Sequence, residues 1–152
     1  MNCISACPDG VAQIRGGEKA PELSGRVRFY QEENRVLVVA EVSGLPKSSG
    51  SGFFALHIHA GSSCEGVSFG ETGGHFNPEG VDHPGHAGDL PPLLFCGGEA
   101  LLTVYTNRFR VRDVIGKIVV IHGGADDFRS QPAGNAGRKI GCGVIRGRRR
   151  RD

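Results

Sequence analysis

The sequence predicts an all-β domain, a Greek-key β-sandwich or flattened barrel of about eight antiparallel strands with one long loop. Three observations carry that expectation. Gly is abundant at 25 residues and Pro adds 8 in a chain of 152, so turns are frequent and long helices few. Short runs alternate apolar and polar residues and are rich in the β-branched and aromatic side chains that fit a pleated surface. These runs recur at short spacing on both sides of a single aperiodic stretch, the pattern of a sandwich or barrel.

Taken in order, residues 11–15, 26–30 and 36–42 alternate and read as strands. Between the second and third, Glu32-Glu33-Asn34 is a short polar link suited to a hairpin. Residues 43–52 form a loop of Gly, Ser, Pro and Lys, and strands resume at 53–59, 100–106, 117–122 and 143–146. Residues 60–98 carry Gly, Pro, Asp and three histidines with no sustained apolar period. A structureless loop that long is unusual in a compact domain unless something orders it, and metal ligation would do so. Cys96 follows Pro91-Pro92-Leu93-Leu94-Phe95 and is expected to be a small buried hydrophobe. Phe69, Phe76 and Phe95 read as loop anchors and core.

The length suits one domain, placed at residues 11–146 between a flexible N-terminus (1–10) and a basic tail (147–152). A net charge of +2 requires no polyanion partner, although Arg146, Arg148, Arg149, Arg150 and Arg151 crowd the last seven positions. That tail reads as solvated, with polyanion binding as its functional alternative. No segment approaches the ~18 apolar residues of a membrane span. Residues 1–10 lack the basic start and apolar stretch of a secretory signal, so the expectation is a cytoplasmic protein, with export as the alternative. Five cysteines are an odd number, so at least one stands outside any intrachain bridge. Cys3 and Cys7 are expected as reduced thiols of a frayed terminus.

All six histidines fall between His57 and His122. His57 and His59 are two apart on a strand, so both imidazoles face one way. His75, His83, His86 and Asp89 lie on the loop at offsets of eight, three and three. Three imidazoles and a carboxylate make the closed tetrahedral set that zinc accepts. His57, His59 and His122 remain as an imidazole group on strand positions, of the kind that suits copper. His75 is placed to serve both groups.

Six segments then carry a resemblance: His57-Ile58-His59, Gly74-His75-Phe76-Asn77-Pro78, His86-Ala87-Gly88-Asp89-Leu90, Ala125-Asp126-Asp127, Gly134-Asn135-Ala136-Gly137 and Cys142-Gly143-Val144-Ile145. In order and spacing the chain resembles the copper/zinc superoxide dismutase family, close to its short-looped bacterial members, from about Val11 to Ile145. The resemblance implies copper on His57, His59, His75 and His122, zinc on His75, His83, His86 and Asp89, and His75 as the bridging ring. It implies that Asp126 hydrogen-bonds His57 and His83 together, and that Cys64 and Cys142 form the family's intrasubunit disulfide. The implied activity is dismutation of superoxide to oxygen and hydrogen peroxide, with a homodimer as one assembly. The alternative is a dismutase-like metal-binding domain with little or no turnover.

The chain departs from the family at one functional position. Three residues before Cys142, where the family usually places an Arg that guides the anion, stands Lys139, preceded by Arg138. Lys keeps the charge and lacks the planar fork. The expectation is guidance of superoxide at reduced efficiency, by Lys139 with Arg138 beside it. The short segment 126–134 predicts weak long-range steering and a shallow dependence of rate on ionic strength.

Overall fold

The computed structural model describes residues 7–47 and 50–148. Strand alternation builds the barrel directly. In β1 (Gly10–Gly16), Ala12 and Ile14 turn inward; in β2 (Ser24–Gln31), Val27 and Phe29; in β3 (Val36–Ser43), Val36, Val38, Ala40 and Val42. In β4 (Phe53–His59) the inward residues are Phe54, Leu56 and Ile58, and in β5 (Asp89–Leu94) Leu90 and Leu93. β6 (Ala100–Thr106) contributes Ala100, β7 (Ile118–His122) Val119 and Ile121, and β8 (Lys139–Gly147) Ile140 and Ile145. Each large apolar side chain sealed in this interior stabilises the fold by roughly 1.5–3 kcal/mol relative to exposure.

The eight strands form one antiparallel sheet in the order β5-β4-β7-β8-β1-β2-β3-β6. Its two ends, β5 and β6, are joined by a tight turn in which Cys96 and Glu99 pair, so the sheet curls into a nearly closed barrel. The chain crosses between non-adjacent strands after β3 and after β6, which makes the Greek key. The second crossing carries one helical turn, α1 (Val111–Val114), whose Val111 and Val114 join the core. Among the described residues no helix is long and apolar enough to cross a membrane.

The structure corrects the sequence reading in four places. The stretch 60–98 contains β5, which its two prolines concealed; β5 lies at an end of the sheet, where a missing N–H is tolerated. Cys96 is exposed rather than buried, because it sits in the β5–β6 turn beyond the last core residue of β5. Strand β8 begins four residues earlier than expected, at Lys139. Ordered structure begins before residue 11: Asp9 accepts the Gln31 N–H at 2.8 Å and β1 starts at Gly10. Cys7 is an exposed thiol; Cys3 and the arginines from 149 onward lie outside the described residues.

Candidate metal centre

Because Leu56 and Ile58 turn into the core, His57 and His59 must project from the outer face of β4. The same logic puts His122 on the outer face of neighbouring β7, where Val119 and Ile121 turn inward. His57 pairs with Val120 and His59 with Ile118, so the three rings share one patch of barrel wall. Opposite His122 stands Lys139, at a shift in the β7–β8 register between Ile121 and His122. Bulges of this kind re-aim side chains.

The fourth imidazole arrives from the loop. Cys64 is bonded to Cys142 of β8, which anchors the loop to the barrel. Gly61 N–H donates to Thr72 O and Ala60 N–H to Gly74 O, each at 2.8 Å, so the chain returns alongside itself and delivers His75 to a bridge with His59. Between these points lies a short 3-10 segment, Val67–Thr72, whose Phe69 is buried against Cys64, Ile118, Val120 and Cys142.

Two donor groups result, and both contain His75. One ligand atom from each of His57, His59, His75 and His122 falls within 4.8 Å of the others, and the same holds for His75, His83, His86 and Asp89. Asp126 joins the groups from behind. Its Oδ2 lies 2.8 Å from His57 Nε2 and its Oδ1 2.8 Å from His83 Nε2. Gly134 is required for this contact, since its φ is +67° and a Cβ there would fall 2.0 Å from Asp126 Oδ1.

Hydrogen bonds assign the ring protons. A carboxylate or a carbonyl can only accept, so His57 donates through Nε2 to Asp126, His59 through Nδ1 to Gly73 O at 2.6 Å, and His122 through Nδ1 to Gly137 O at 3.1 Å. Each ring then turns its lone pair toward the others. His59 Nε2 and His122 Nε2 are 3.3 Å apart with no proton left to share.

Protonation does not relieve this crowding. Burial, then the neighbouring His75 charge, pushes His57 down to about 4 against the hydrogen bond it donates to Asp126. Burial pushes His59 to about 3 and His122 to about 4; carbonyl hydrogen bonds oppose the shift, and His75 and Lys139 add to it. Burial raises Asp126 and Asp89, yet both end below the usual carboxylate range. Hydrogen bonds from His83 and His57 hold Asp126 down, and His75 holds Asp89 down.

Three buried ring nitrogens, His57 Nδ1, His75 Nε2 and His83 Nδ1, have no hydrogen-bond partner. His83 Nδ1 lies 3.0 Å from Asp89 Oδ2 at an angle that makes no hydrogen bond. Orphaned buried polar atoms cost about 1–3 kcal/mol each. Neutral lone pairs and carboxylate oxygens converging on two points are satisfied together by two cations, and the residues fit such ions well.

Several contributors were not legible in the sequence. The Gly73 and Gly137 carbonyls orient two rings, but any backbone could supply them. Gln131 grips the His83 backbone from both sides, its Oε1 accepting His83 N–H at 2.9 Å and its Nε2 donating to His83 O at 2.7 Å. Arg108 donates to Pro84 O at 2.8 Å and His86 O at 3.2 Å. Lys139 Nζ donates to the Thr72 hydroxyl at 2.6 Å. Of the two cations offered by the sequence, Lys139 is the one whose charge is felt at His59 and His122; Arg138 is exposed.

A Greek-key barrel carrying two donor groups fused at one imidazole defines a binuclear metalloprotein. Residues 23–145 match the family model for copper/zinc superoxide dismutase. The chain is 34% identical to a copper-zinc superoxide dismutase of Deinococcus radiodurans over 93% of its own length and 89% of the relative's. It is also 34% identical to one from Aquifex aeolicus, over 82% and 80%, and 31% identical to an extracellular copper-zinc superoxide dismutase of Rattus norvegicus, over 82% and 55%. The chain belongs to the copper/zinc superoxide dismutase family.

Proposed function

We propose that this chain is an enzyme converting two superoxide anions and two protons to oxygen and hydrogen peroxide, using copper and zinc. The reading assigns copper to His57, His59, His75 and His122, and zinc to His75, His83, His86 and Asp89. The observation that carries it is His75, whose ring belongs to both donor groups. Copper supplies the one-electron redox change that dismutation needs, and zinc, having no redox state, supplies fixed charge and loop order.

The chain's residues do the rest. Asp126 accepts from His57 and His83 with one carboxylate and so fixes the two donor groups relative to each other. Gly73 and Gly137 carbonyls hold His59 and His122 with Nε2 free to bind. His75 Nε2 is the atom placed to hold a proton and release it to the product peroxide. Lys139 supplies positive charge where the anion arrives, with exposed Arg138 next to it in the chain.

Metal analysis with a superoxide-consumption assay tests the reading. One copper and one zinc per chain with fast, copper-dependent turnover is the expected result; full zinc with no copper-dependent activity sinks it and favours the metal-binding domain without turnover. Two partner readings have separate tests: sedimentation for a homodimer, and heparin or DNA retention at physiological salt, lost on truncation after Ile145, for the Arg tail.

A further inference from the structure

Lys139 is not a free surface ammonium. Its Nζ donates to Thr72 Oγ1 at 2.6 Å and approaches Phe69 O at 3.4 Å. Thr72 is fully buried, and its own hydroxyl proton is committed to Phe69 O at 3.0 Å. A hydroxyl has one proton and two lone pairs, and an ammonium has three donors and no acceptor. With its proton spent, Thr72 can serve Lys139 only as an acceptor, and a third ammonium N–H remains uncommitted by these contacts. The backbone is fixed as well, because Lys139 pairs with His122 across β7 and β8, and Thr72 O accepts from Gly61.

A lysine is a point charge on a flexible four-carbon stem, whereas an arginine fork is preorganised. We infer that Thr72 is a positioning residue for superoxide capture: its buried hydroxyl holds the Lys139 ammonium beside His59 and His122 and supplies the preorganisation that a guanidinium would carry in itself. This inference rests on the dismutase reading, and it names a residue that neither composition nor motif marks. Thr72 touches neither substrate nor donor groups; it acts through Lys139.

The test compares Thr72→Val with Thr72→Ser, each in the wild-type and the Lys139→Met background, at matched copper and zinc content. The second-order rate constant for superoxide is expected to fall about tenfold or more in Thr72→Val, the loss of one hydrogen bond to a charged group, and to return in Thr72→Ser. Azide affinity, read from the copper absorption band, should fall in parallel. In the Lys139→Met background Thr72→Val should cost nothing further. Acetylation of Lys139 in the metal-free protein, followed by mass spectrometry, should be slow in the wild type and several-fold faster in Thr72→Val; this arm does not depend on turnover. Thr72→Ala replaces the valine should melting show that it misfolds.

An unchanged rate constant and unchanged acetylation in the hydroxyl-free variant overturn the inference. So does an equal loss with and without Lys139, which would mark Thr72 as merely structural. A wild type inactive at full metal load overturns the dismutase reading instead, and is distinguished by the acetylation arm.

Discussion

The two donor groups meet at His75, yet they are built differently. On the side proposed for copper, His57, His59 and His122 stand on β4 and β7, two central strands whose opposite faces form the core. Their positions are set by hydrophobic packing that needs no ion. On the side proposed for zinc, His83 and His86 stand on a loop with no strand pairing of its own, and Asp89 opens β5. That side is held by polar contacts: Asp126 and Gln131 on His83, Arg108 on the carbonyls of Pro84 and His86. The difference teaches that the proposed copper ligands are preorganised by the barrel, while the proposed zinc ligands and the loop would order each other, so metal binding there would contribute to folding.

The largest effect should come from the preorganised side. Replacing His122 by Ala should remove copper-dependent dismutation by more than the roughly 10–100-fold that outer partners of a ligand command, while zinc content and melting temperature change little. A variant that lost zinc first would reverse the comparison. Asp126→Leu should weaken both metals by about 10–100-fold, since it frees His57 and His83 together, and competition with a chelator measures it.

Breaking the Cys64–Cys142 bond, which spans 78 residues, should lower stability by about 4–5 kcal/mol on the chain-entropy account. Urea unfolding of the metal-free protein with and without reductant checks the value. The loss should fall on the loop around Phe69 before the barrel, as amide exchange would show.

The pH response of the metal-free protein probes the copper side alone. His57, His59 and His122 are lowered to about 4, 3 and 4 from an ordinary 6.5. Between those limits the unfolded chain binds more protons than the folded one, so stability is full above about pH 6.5 and declines as pH falls toward 3–4. A stability plateau extending from pH 7 down to 4.5 would contradict the buried, neutral state of these rings.

The smallest expected change sharpens the zinc side. Gln131→Ala should shorten zinc retention against a chelator by about tenfold at most, leaving copper affinity unaltered. If copper were lost equally, the two sides would not be separately supported.

How much was legible follows from how far each feature's cause extends along the chain. The strands were, because alternation is local: residues 36–42 and 53–59 announce their inward faces two residues at a time. β5 was not, since Pro91 and Pro92 are acceptable only at a sheet end, a property of strand order rather than of the segment. Cys96 misled for a related reason: apolar Leu93, Leu94 and Phe95 run directly up to it, but the strand ends at Leu94 and Cys96 opens the turn to β6.

His57 and His59 declared themselves by spacing, and family resemblance extended that to Asp126 and Cys142. By itself the sequence determined the barrel class and the residue types of both donor groups, through short-range periodicity and motif order. Tertiary structure alone decided which nitrogen each ring presents, that Gln131 and Arg108 hold the loop, and that Thr72 holds Lys139. Those choices join residues 14 to 67 positions apart through one or two hydrogen bonds each, and no periodicity along the chain encodes a contact that only folding creates.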